Sequence, residues 1–490
     1  MPIQTIQVLV FVALTALIAG LTWRHCAKDS ARRAPGTSTR DDVFLAGRGL
    51  SWIVVAGSIT LTNLSTDQLV GMNGNQMALL AWWELSAVVG LIILARVILP
   101  VYYRYDCTTT TELLEKRYGD YRIRALIGLL FLLGNLFIFI PAMLYSGSLF
   151  MQTLFQVDLP LMTIAIAFAT VGAAYAVLGG LRAVAVSDAY SGVLLLSLGM
   201  VVVVLSLAAI DFDFTGIPRD RLTMIGNSAS PIPWHTLFTG MLFIQIFYWG
   251  TNQTITQRAM ASPTVEEGQK GVLAAAIIRL MIIPPMVVIP GIVSFKLYGD
   301  IGDAAFGRVV GDVLPLWLSG AFAAAIAAAV LTSVNSVLNS STALYVCDIH
   351  ERFIAPAPNL RRLNLVITVS FVLIGLAMVP VYAQAESIIN LVQELYGLLS
   401  MPILSAFIVG LLFRDVAAGA AIVAVVLGVA LYAFFSFVWA PLHYIHMMFF
   451  TVIFCVGSAL LVSRFLFGTA PQWAPAIFFQ APQETKMTDV

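Results

Sequence analysis

Charge, cysteine and histidine are all scarce in this sequence. Charged residues make up 11% of the 490 residues, only 4 cysteines and 5 histidines occur, and the formal net charge at pH 7 is zero. The scarcity of basic residues argues against a nucleic-acid-binding protein. Apolar residues reach 60%, and the mean hydropathy of +0.92 indicates a chain that is surrounded mostly by hydrocarbon. We therefore expect an integral membrane protein whose main surroundings are the lipid bilayer.

The few residues that could carry catalysis form no enzyme signature. The cysteines are single and far apart, and the histidines have no conventional metal-ligand spacing beyond the neighbouring His443 and His446, which we interpret as interface polarity. The sequence contains no nucleophile motif and no phosphate-binding loop. It therefore predicts a protein that is not an enzyme, and it indicates no obligate protein partner.

Apolar runs long enough to cross a bilayer as helices recur from Thr5 to Phe465. At about 20 residues per span, they predict an all-α membrane protein with about thirteen transmembrane helices. The predicted helices cover residues 5–22, 52–77, 80–103, 124–156, 159–178, 184–210, 232–256, 267–296, 311–347, 363–383, 386–412, 416–438 and 444–466.

Lysine and arginine are distributed unevenly among the predicted loops. Alternating the helices across the membrane puts most of them on one side, and the exceptions are Arg219, Arg221, Lys296 and Arg308. Because cytoplasmic loops retain positive charge, we expect an extracellular amino terminus and a cytoplasmic carboxyl terminus in the plasma (inner) membrane. The first helix has no basic residue before Arg24, so we interpret it as a retained span and not as a signal peptide.

Two predicted helices contain polar interruptions with glycine. The first is SITLTNLSTDQLVGMNGNQ, and five helices later FYWGTNQTITQ places Gly250 and Asn252 in mid-span. Paired interruptions in two five-helix halves are typical of inverted-repeat transporters with a binding site at the bilayer midplane. Small polar residues also pack helices together. Ionisable residues within the spans, which are costly in a membrane and usually functional, favour the binding site.

Hydroxyl and amide side chains recur in the apolar run AIAAAVLTSVNSVLNSSTALY, where Thr332 and Ser333 are adjacent. A small hard cation binds oxygen ligands, and hydroxyl groups supply them in a membrane without burying much charge. The run therefore predicts a sodium site.

Several stretches follow one another in the order of a known family: DDVFLAGRGLSW, SITLTNLSTDQLVGMNG, TTTTELLEKRYG, GGLRAVAVSD, FYWGTNQTITQRAMAS, SVLNSSTALYVCDIH and LVQELYGLLSMPILSAFIVGLLF. They resemble the sodium/solute symporters, and within them the sodium–glucose (galactose) cotransporter branch. The resemblance implies the LeuT-type fold with two inverted five-helix repeats, and sodium-coupled symport of a hexose such as glucose or galactose. We expect a leading helix and cytoplasmic linker at 1–51, the repeats at 52–210 and 232–412, an extracellular loop at 211–231, two more helices at 413–467 and a cytoplasmic tail at 468–490.

The resemblance also implies ion-binding residues. Three backbone carbonyls and two side-chain hydroxyls would bind sodium, and they fall on Leu61, Leu64, Ala329, Thr332 and Ser333. Some relatives bind a second sodium at positions that match Asp188, Asn335 and Ser336 here, but Asn335 stands where they have a hydroxyl residue. Asp188 could instead cap a helix or pair with a basic residue such as Arg182. One or two sodium ions per cycle therefore stay open.

The positions that line the sugar site in relatives fall on Asn63, Gln68, Glu84, Gln245, Tyr248, Trp249, Arg279 and Gln393. Met72 and Trp83 match outer gate residues, and Tyr248 matches the inner gate, although a packing aromatic is the alternative. Amides and carboxylates can bind sugar hydroxyls, and an aromatic ring can cover an apolar sugar face. Gln245 and Arg279 replace an Asn and a Lys, so the hexose is not identified. Inositol, proline and other amino acids are the alternative solutes.

Overall fold

The computed structural model describes residues 3–30, 44–355 and 359–476, so the predicted linker at 31–43 and the tail beyond 476 lie outside the described residues. The helices are α1 Ile3–Ser30, α2 Trp52–Asn63, α3 Thr66–Gly74, α4 Ala78–Arg104, α5 Thr110–Tyr118, α6 Tyr121–Phe155, α7 Leu161–Ala209, α8 Arg219–Leu222, α9 Gly240–Gly250, α10 Gln253–Met260, α11 Val265–Tyr298, α12 Ala305–Val313, α13 Leu316–Phe353, α14 Leu360–Tyr382, α15 Ile388–Leu412, α16 Ala418–Val438 and α17 Tyr444–Phe465. Strands β1 Phe413–Arg414 and β2 Gln472–Trp473 pair antiparallel.

Most of the predicted spans correspond to long helices. Within the described residues, 10 helices are long and apolar enough to cross a membrane, and three shorter apolar helices cover Trp52–Asn63, Leu161–Val177 and Gly240–Gly250. These shorter helices fall within three further predicted spans. The exact number of thirteen spans stays a prediction.

Both predicted interruptions are breaks in helices. Leu64 (φ −74°, ψ 63°) leaves the helical conformation after α2, and Ser65 is extended. The second break lies at Thr251 and Asn252, where the Asn252 side chain accepts a hydrogen bond from the Thr254 amide at 2.9 Å and caps α10. Asn is a favoured residue at this capping position because its side chain replaces a missing helical hydrogen bond. The polar residues therefore break each helix where the sequence predicts it.

Two predicted helix starts are wrong. The helix predicted from 232 begins at Gly240, because residues Trp234–Phe238 form a separate 3-10 turn and Thr239 is not helical. The helix predicted from 311 begins at Leu316, and α12 is a separate helix before it. Leu314 precedes Pro315 and is extended, since the proline ring disfavours a helical conformation in the residue before it.

Helix α7 contains two predicted spans and is helical from one to the other. The Tyr175 hydroxyl donates to the Ala183 carbonyl at 3.1 Å, although the two residues are 8 positions apart. Eight residues of straight helix would extend about 12 Å. The helix must therefore bend sharply between these residues, as expected for two spans at 159–178 and 184–210.

The broken helix α2–α3 lies at the centre of the bundle. Helix α2 packs against α7, α11 and α13, and α9 packs against α4 and α15. The apolar stretch of helix α13 is almost completely buried, whereas most of α1 is exposed. The hydroxyl and amide side chains of α13 therefore point into protein and not into lipid.

Candidate functional site

One cavity lies where the two broken helices approach α4 and α15. It has a volume of about 30 Å³ and is lined by Asn63, Gln68, Trp83, Glu84, Ile244, Gln245, Tyr248, Trp249 and Gln393. Seven of the eight predicted substrate residues and the predicted gate residue Trp83 thus meet at one place. Arg279 is buried next to Glu84 and outside this lining, and Met72 is buried in the core. Ile244 was not predicted, because one more apolar residue in an apolar helix carries no signal.

The acid and the base of the predicted site form an ion pair. The relative exposures of Glu84 and Arg279 are 1% and 0%, and Arg279 Nη1 donates to Glu84 Oε2. The guanidinium also lies 4.5 Å from the centroid of the Trp249 ring. Two opposite charges that are buried together compensate each other. The wall of the cavity therefore presents no net charge from this pair.

Gln245 is fixed by hydrogen bonds within the protein. Its Nε2 donates to the Trp83 carbonyl and to Ser86 Oγ, each at 2.9 Å, and its Oε1 accepts from Trp249 Nε1 at 2.9 Å. An amide has two N–H donors and one carbonyl acceptor, and each of them has a partner here. Gln245 thus positions Trp83 and Trp249 in the wall of the cavity.

Three other lining residues keep oxygen atoms without a hydrogen-bond partner. Among the described residues, Asn63 Oδ1, Gln68 Oε1 and Glu84 Oε1 are buried and accept no hydrogen bond. Buried polar atoms are normally paired, because an unpaired one loses its hydration without compensation. The three oxygens therefore indicate that a donor-rich solute or water belongs in this cavity.

Tyr248 connects the cavity to a group of aromatic side chains. Its ring centroid lies 6.0 Å from that of Tyr396 and 6.5 Å from that of Phe139. Tyr396 accepts a hydrogen bond from Asn252 Nδ2 at 2.8 Å, which ties the group to the second helix break. The predicted gate residue thus contacts both the cavity and a broken helix.

The first helix break leaves backbone oxygens available near α13. In the part of the chain that the structure describes, no backbone amide donates to the carbonyl of Leu61 or Leu64. Ser333 Oγ is buried and has no hydrogen-bond partner among the same residues, and Thr332 Oγ1 donates to the Ala329 carbonyl at 3.3 Å. These neutral oxygens are the type of ligand that a monovalent hard cation binds. The predicted sodium ligands therefore lie on two helices that pack together.

The second helix break is different, because two of its carbonyls accept hydrogen bonds from the protein. The Tyr102 hydroxyl donates to the Gly250 carbonyl at 2.9 Å, and the Ile255 amide donates to the Asn252 carbonyl at 3.1 Å. In a membrane, an unsatisfied backbone group costs several kcal/mol. The Gly250 and Asn252 carbonyls are therefore satisfied within the protein, unlike those of Leu61 and Leu64.

The residues predicted for a second sodium bind an arginine that the sequence did not single out. Asp188 Oδ2 lies 3.8 Å from Arg258 Nη2, and Arg258 Nη2 also donates to Ser336 Oγ. Asp188 thus pairs with Arg258, whereas Arg182 was the partner suggested from the sequence. Both polar atoms of the Asn335 amide are buried and have no partner among the described residues.

Asp303 joins α3 and α15 at one end of the bundle. Its Oδ2 accepts a hydrogen bond from the Ile388 amide at 3.0 Å, and a Cβ added to Gly74 would come within 2.9 Å of its Cα. Glycine at position 74 allows this close approach. Burial raises the pKa of the Asp303 carboxyl to about 7.

An ion-pair network lies at the other end of the bundle. Arg124 donates to Asp348 and to Glu115 at 2.7 Å each, and Asp348 also accepts from Thr109 at 3.0 Å. Arg352 pairs with the same Glu115. The network joins α5 and α6 to the end of α13.

Comparison with known proteins places these features in a family. The family model described as "Sodium:solute symporter family" matches residues 43–428. The uncharacterized symporter YidK of Escherichia coli (strain K12) is 33% identical, and the match covers 94% of this chain and 83% of YidK. The sodium/glucose cotransporter of Vibrio parahaemolyticus is 28% identical over 92% of this chain and 88% of its own. The mouse sodium/myo-inositol cotransporter 2 is 27% identical over 79% of this chain and 64% of its own length.

Solved structures confirm the fold. A Na⁺-coupled sialic acid symporter in a substrate-bound outward-open state gives a TM-score of 0.80 at 17% identity, covering 96% of this chain and 98% of its own. The inward-facing transporter Mhp1 gives a TM-score of 0.57 at 16% identity, covering 87% of this chain and 93% of its own. These likenesses confirm the predicted LeuT-type fold.

Proposed function

Because the chain belongs to the sodium:solute symporter family, we propose that it imports a sugar, a hexose such as glucose or galactose, together with sodium by alternating access. Members of this family are membrane transporters and not enzymes. The proposal adds the identity of the solute, the residues that bind it and the direction of transport.

The observation that carries the proposal is the set of free oxygens in the cavity. Asn63, Gln68 and Glu84 each present a buried acceptor without a partner among the described residues. A hexose carries several hydroxyl groups, and each hydroxyl can donate a hydrogen bond. Ligand pockets for small molecules have volumes of about 300–1,000 Å³, and the cavity of about 30 Å³ is smaller, so on this proposal it must widen before a sugar ring binds.

The charges around the cavity favour a neutral solute. A carboxylate solute would need a basic partner, but Arg279 already pairs with Glu84. A zwitterionic solute such as proline would need one free charge of each sign. Tyr248 and Trp83 add aromatic surface that can cover an apolar sugar face. We therefore rank amino acids below sugars.

Sodium supplies the energy for uptake in this proposal. A sodium ion that enters down a potential of about 100 mV gains about 2.3 kcal/mol, and a tenfold concentration gradient adds about 1.4 kcal/mol. The sum of about 3.7 kcal/mol supports roughly 500-fold accumulation of an uncharged solute for each sodium ion.

Sodium binding also explains the order of events. We expect sodium to bind the Leu61, Leu64 and Ala329 carbonyls and the Thr332 and Ser333 hydroxyls, and to favour the outward-open state. Sugar then binds, the outer side closes, and loss of sodium to the cytoplasm releases Tyr248 from its inner gate position. The ion can drive this change only if it binds the two states with different affinities. This scheme assumes the expected orientation, with the amino terminus outside and the carboxyl terminus in the cytoplasm.

A polyol such as inositol is the second candidate solute. It offers hydroxyl donors to the same three acceptors, and several relatives are sodium/myo-inositol cotransporters. These hydrogen bonds would not distinguish it from a hexose, because both solutes present neutral hydroxyl groups on a six-membered ring.

Uptake into proteoliposomes tests the proposal. The purified protein would be given labelled hexoses, inositol and proline, with an inward sodium gradient or with potassium in place of sodium. We expect sodium-driven accumulation of a hexose. Accumulation of inositol alone would select the second candidate, whereas sodium-driven proline uptake would overturn the assignment of the cavity residues. The Gln68→Ala variant should weaken the affinity for the sugar. The matched variant Gln152→Ala changes a glutamine on α6 outside the lining and should transport normally.

A further inference from the structure

We propose that residues 474–476, which we call the strap, hold the cytoplasmic ends of α4 and α15 together and thereby oppose the opening of the cavity towards the cytoplasm. The inference rests on the alternating access and the orientation of the proposed function. It does not depend on which solute is carried or on the number of sodium ions. The strap follows directly after β2 and lies outside the sodium and solute sites described above.

The strap lies against the end of α15 through its backbone amides. Ala474 N donates to the Leu412 carbonyl at 2.9 Å, and Ala476 N donates to the Leu411 carbonyl at 2.7 Å. The last carbonyls of a helix have no partner within the helix and need one outside it. The strap therefore completes the end of α15 and continues the contact that begins with the pairing of β1 and β2.

The sequence of the strap suits this extended conformation. Pro475 lies between the two donating residues, and its missing N–H group costs no hydrogen bond because an edge strand directs every second amide away from its neighbour. A proline also favours an extended conformation in the residue before it, here Ala474. Ala474 and Ala476 are 7% and 1% exposed, and Ala476 belongs to the same apolar cluster as Tyr102 of α4. Small side chains thus fit the strap closely onto the protein.

The carbonyls of the strap bind arginines from other helices. Arg104 at the end of α4 donates from Nη1 to the Ala476 carbonyl at 2.8 Å. Arg117 of α5 donates from Nη2 to the Ala474 carbonyl at 3.3 Å and to the Phe413 carbonyl at 3.2 Å. Hydrogen bonds from a charged donor are stronger than those between neutral groups. The strap therefore connects α4 and α5 on one side to α15 on the other.

The two helices that the strap connects belong to different parts of the bundle. Helix α4 packs against α9 and α11, whereas α15 packs most extensively against α16 and α17. The cavity lies between them, because α4 supplies Trp83 and Glu84 and α15 supplies Gln393. Separation of α4 from α15 at the cytoplasmic end would break the hydrogen bonds of the strap. The strap should therefore favour the state that is closed on this side.

A cysteine on α15 can report this opening. Ile403 lies along α15 between Gln393 and the strap, and it is buried at a small void beside Tyr396. Ile403→Cys should therefore react with a water-soluble maleimide mainly while the cytoplasmic side is open. The reaction rate would be measured on the full-length protein without its four native cysteines, in sodium buffer and without a solute.

Proline substitutions release the strap without removing it. In the Ile403→Cys protein, Ala474→Pro combined with Ala476→Pro removes both donating amides. We expect the cysteine to react about tenfold faster than with the intact strap, as the loss of two neutral hydrogen bonds predicts. Gln472→Ala is the matched control, because it changes an exposed side chain just before the strap and keeps both amides. It should react at the rate of the intact protein.

Two further measurements protect the test against a variant that does not fold. A chain that ends at Pro471 lacks the strap and should react at least as fast as the proline variant. In the intact protein, the amides of Ala474 and Ala476 should be protected from hydrogen exchange, since protection reports a hydrogen bond that rarely opens. Rapid exchange of both amides would overturn the inference, because the strap would then not be attached.

The outcomes separate this inference from the proposed function. Equal reaction rates with the strap intact, released and deleted would overturn the inference, even in a protein that accumulates a hexose with sodium. A slower reaction after release would also overturn it. A faster reaction after release in a protein that transports no hexose would support the inference and reject the proposed solute.

Discussion

Replacement of Ser333 by alanine tests the sodium site with little disturbance of the fold. The Ser333 hydroxyl is buried and has no partner among the described residues, so its removal leaves no other group unpaired. A hydrogen bond to a charged group contributes about 1.5–3 kcal/mol, and we take the same range for one oxygen ligand of sodium. At about 1.4 kcal/mol for each factor of ten, Ser333→Ala should raise the dissociation constant for sodium about 10- to 150-fold.

The assay is the initial rate of solute uptake into proteoliposomes as a function of sodium concentration. The half-saturating sodium concentration should rise by the expected factor, while the apparent affinity for the solute at saturating sodium stays close to that of the wild type. Ser400→Ala is the matched control, because Ser400 Oγ is also buried without a partner in the described chain but lies outside the site. An equal loss of uptake at every sodium concentration would refute the reasoning and point to a folding defect.

Other changes test the cavity, the proposed gate and the contact made by Asp303. Glu84→Gln should lower the free energy of unfolding by about 3–5 kcal/mol, since it leaves Arg279 without its partner, and adding Arg279→Met should recover most of the loss in a thermal unfolding assay. Tyr248→Ala should increase solute-independent sodium leak several-fold whereas Tyr248→Phe should not, and equal leak would contradict the gate. Burial raises the pKa of Asp303 from 3.8 to about 7 in the folded protein. Between these pH values the folded state binds more protons than the unfolded state, so the free energy of unfolding should fall as pH rises. Asp303→Asn should reduce this pH dependence when the free energy of unfolding is measured across pH.

The sequence contains enough information to locate the helix breaks and most of the cavity. Polar residues in an apolar helix have few explanations, and the interruptions at Asn63 and Asn252 proved to be ends of helices. Side chains such as Gln68 and Gln393 then meet at one cavity, because the paired breaks lie at the centre of the fold. The roles assigned to these residues remain predictions.

Contacts between distant helices could not be predicted in the same way. Arg258 lies near the predicted cytoplasmic end of its span, where an arginine ordinarily extends to the interface, and only the packed structure shows it against Asp188 and Ser58. The predicted start of α13 was wrong for a local reason. The apolar residues of α12 continue the hydrophobic run, so the run conceals the boundary that Pro315 imposes.

The unequal chemistry of the two helix breaks has a consequence for how transport is timed. Tyr102 donates to the Gly250 carbonyl at the second break, whereas in the described chain no backbone amide donates to the carbonyls of Leu61 and Leu64, which sodium would bind on the proposed mechanism. On the proposed mechanism, the transported sodium is a structural component of the protein for part of every cycle, because it joins the first helix break to α13. Each departure of the ion would then loosen the centre of the bundle, and each arrival would restore it before the next solute is carried.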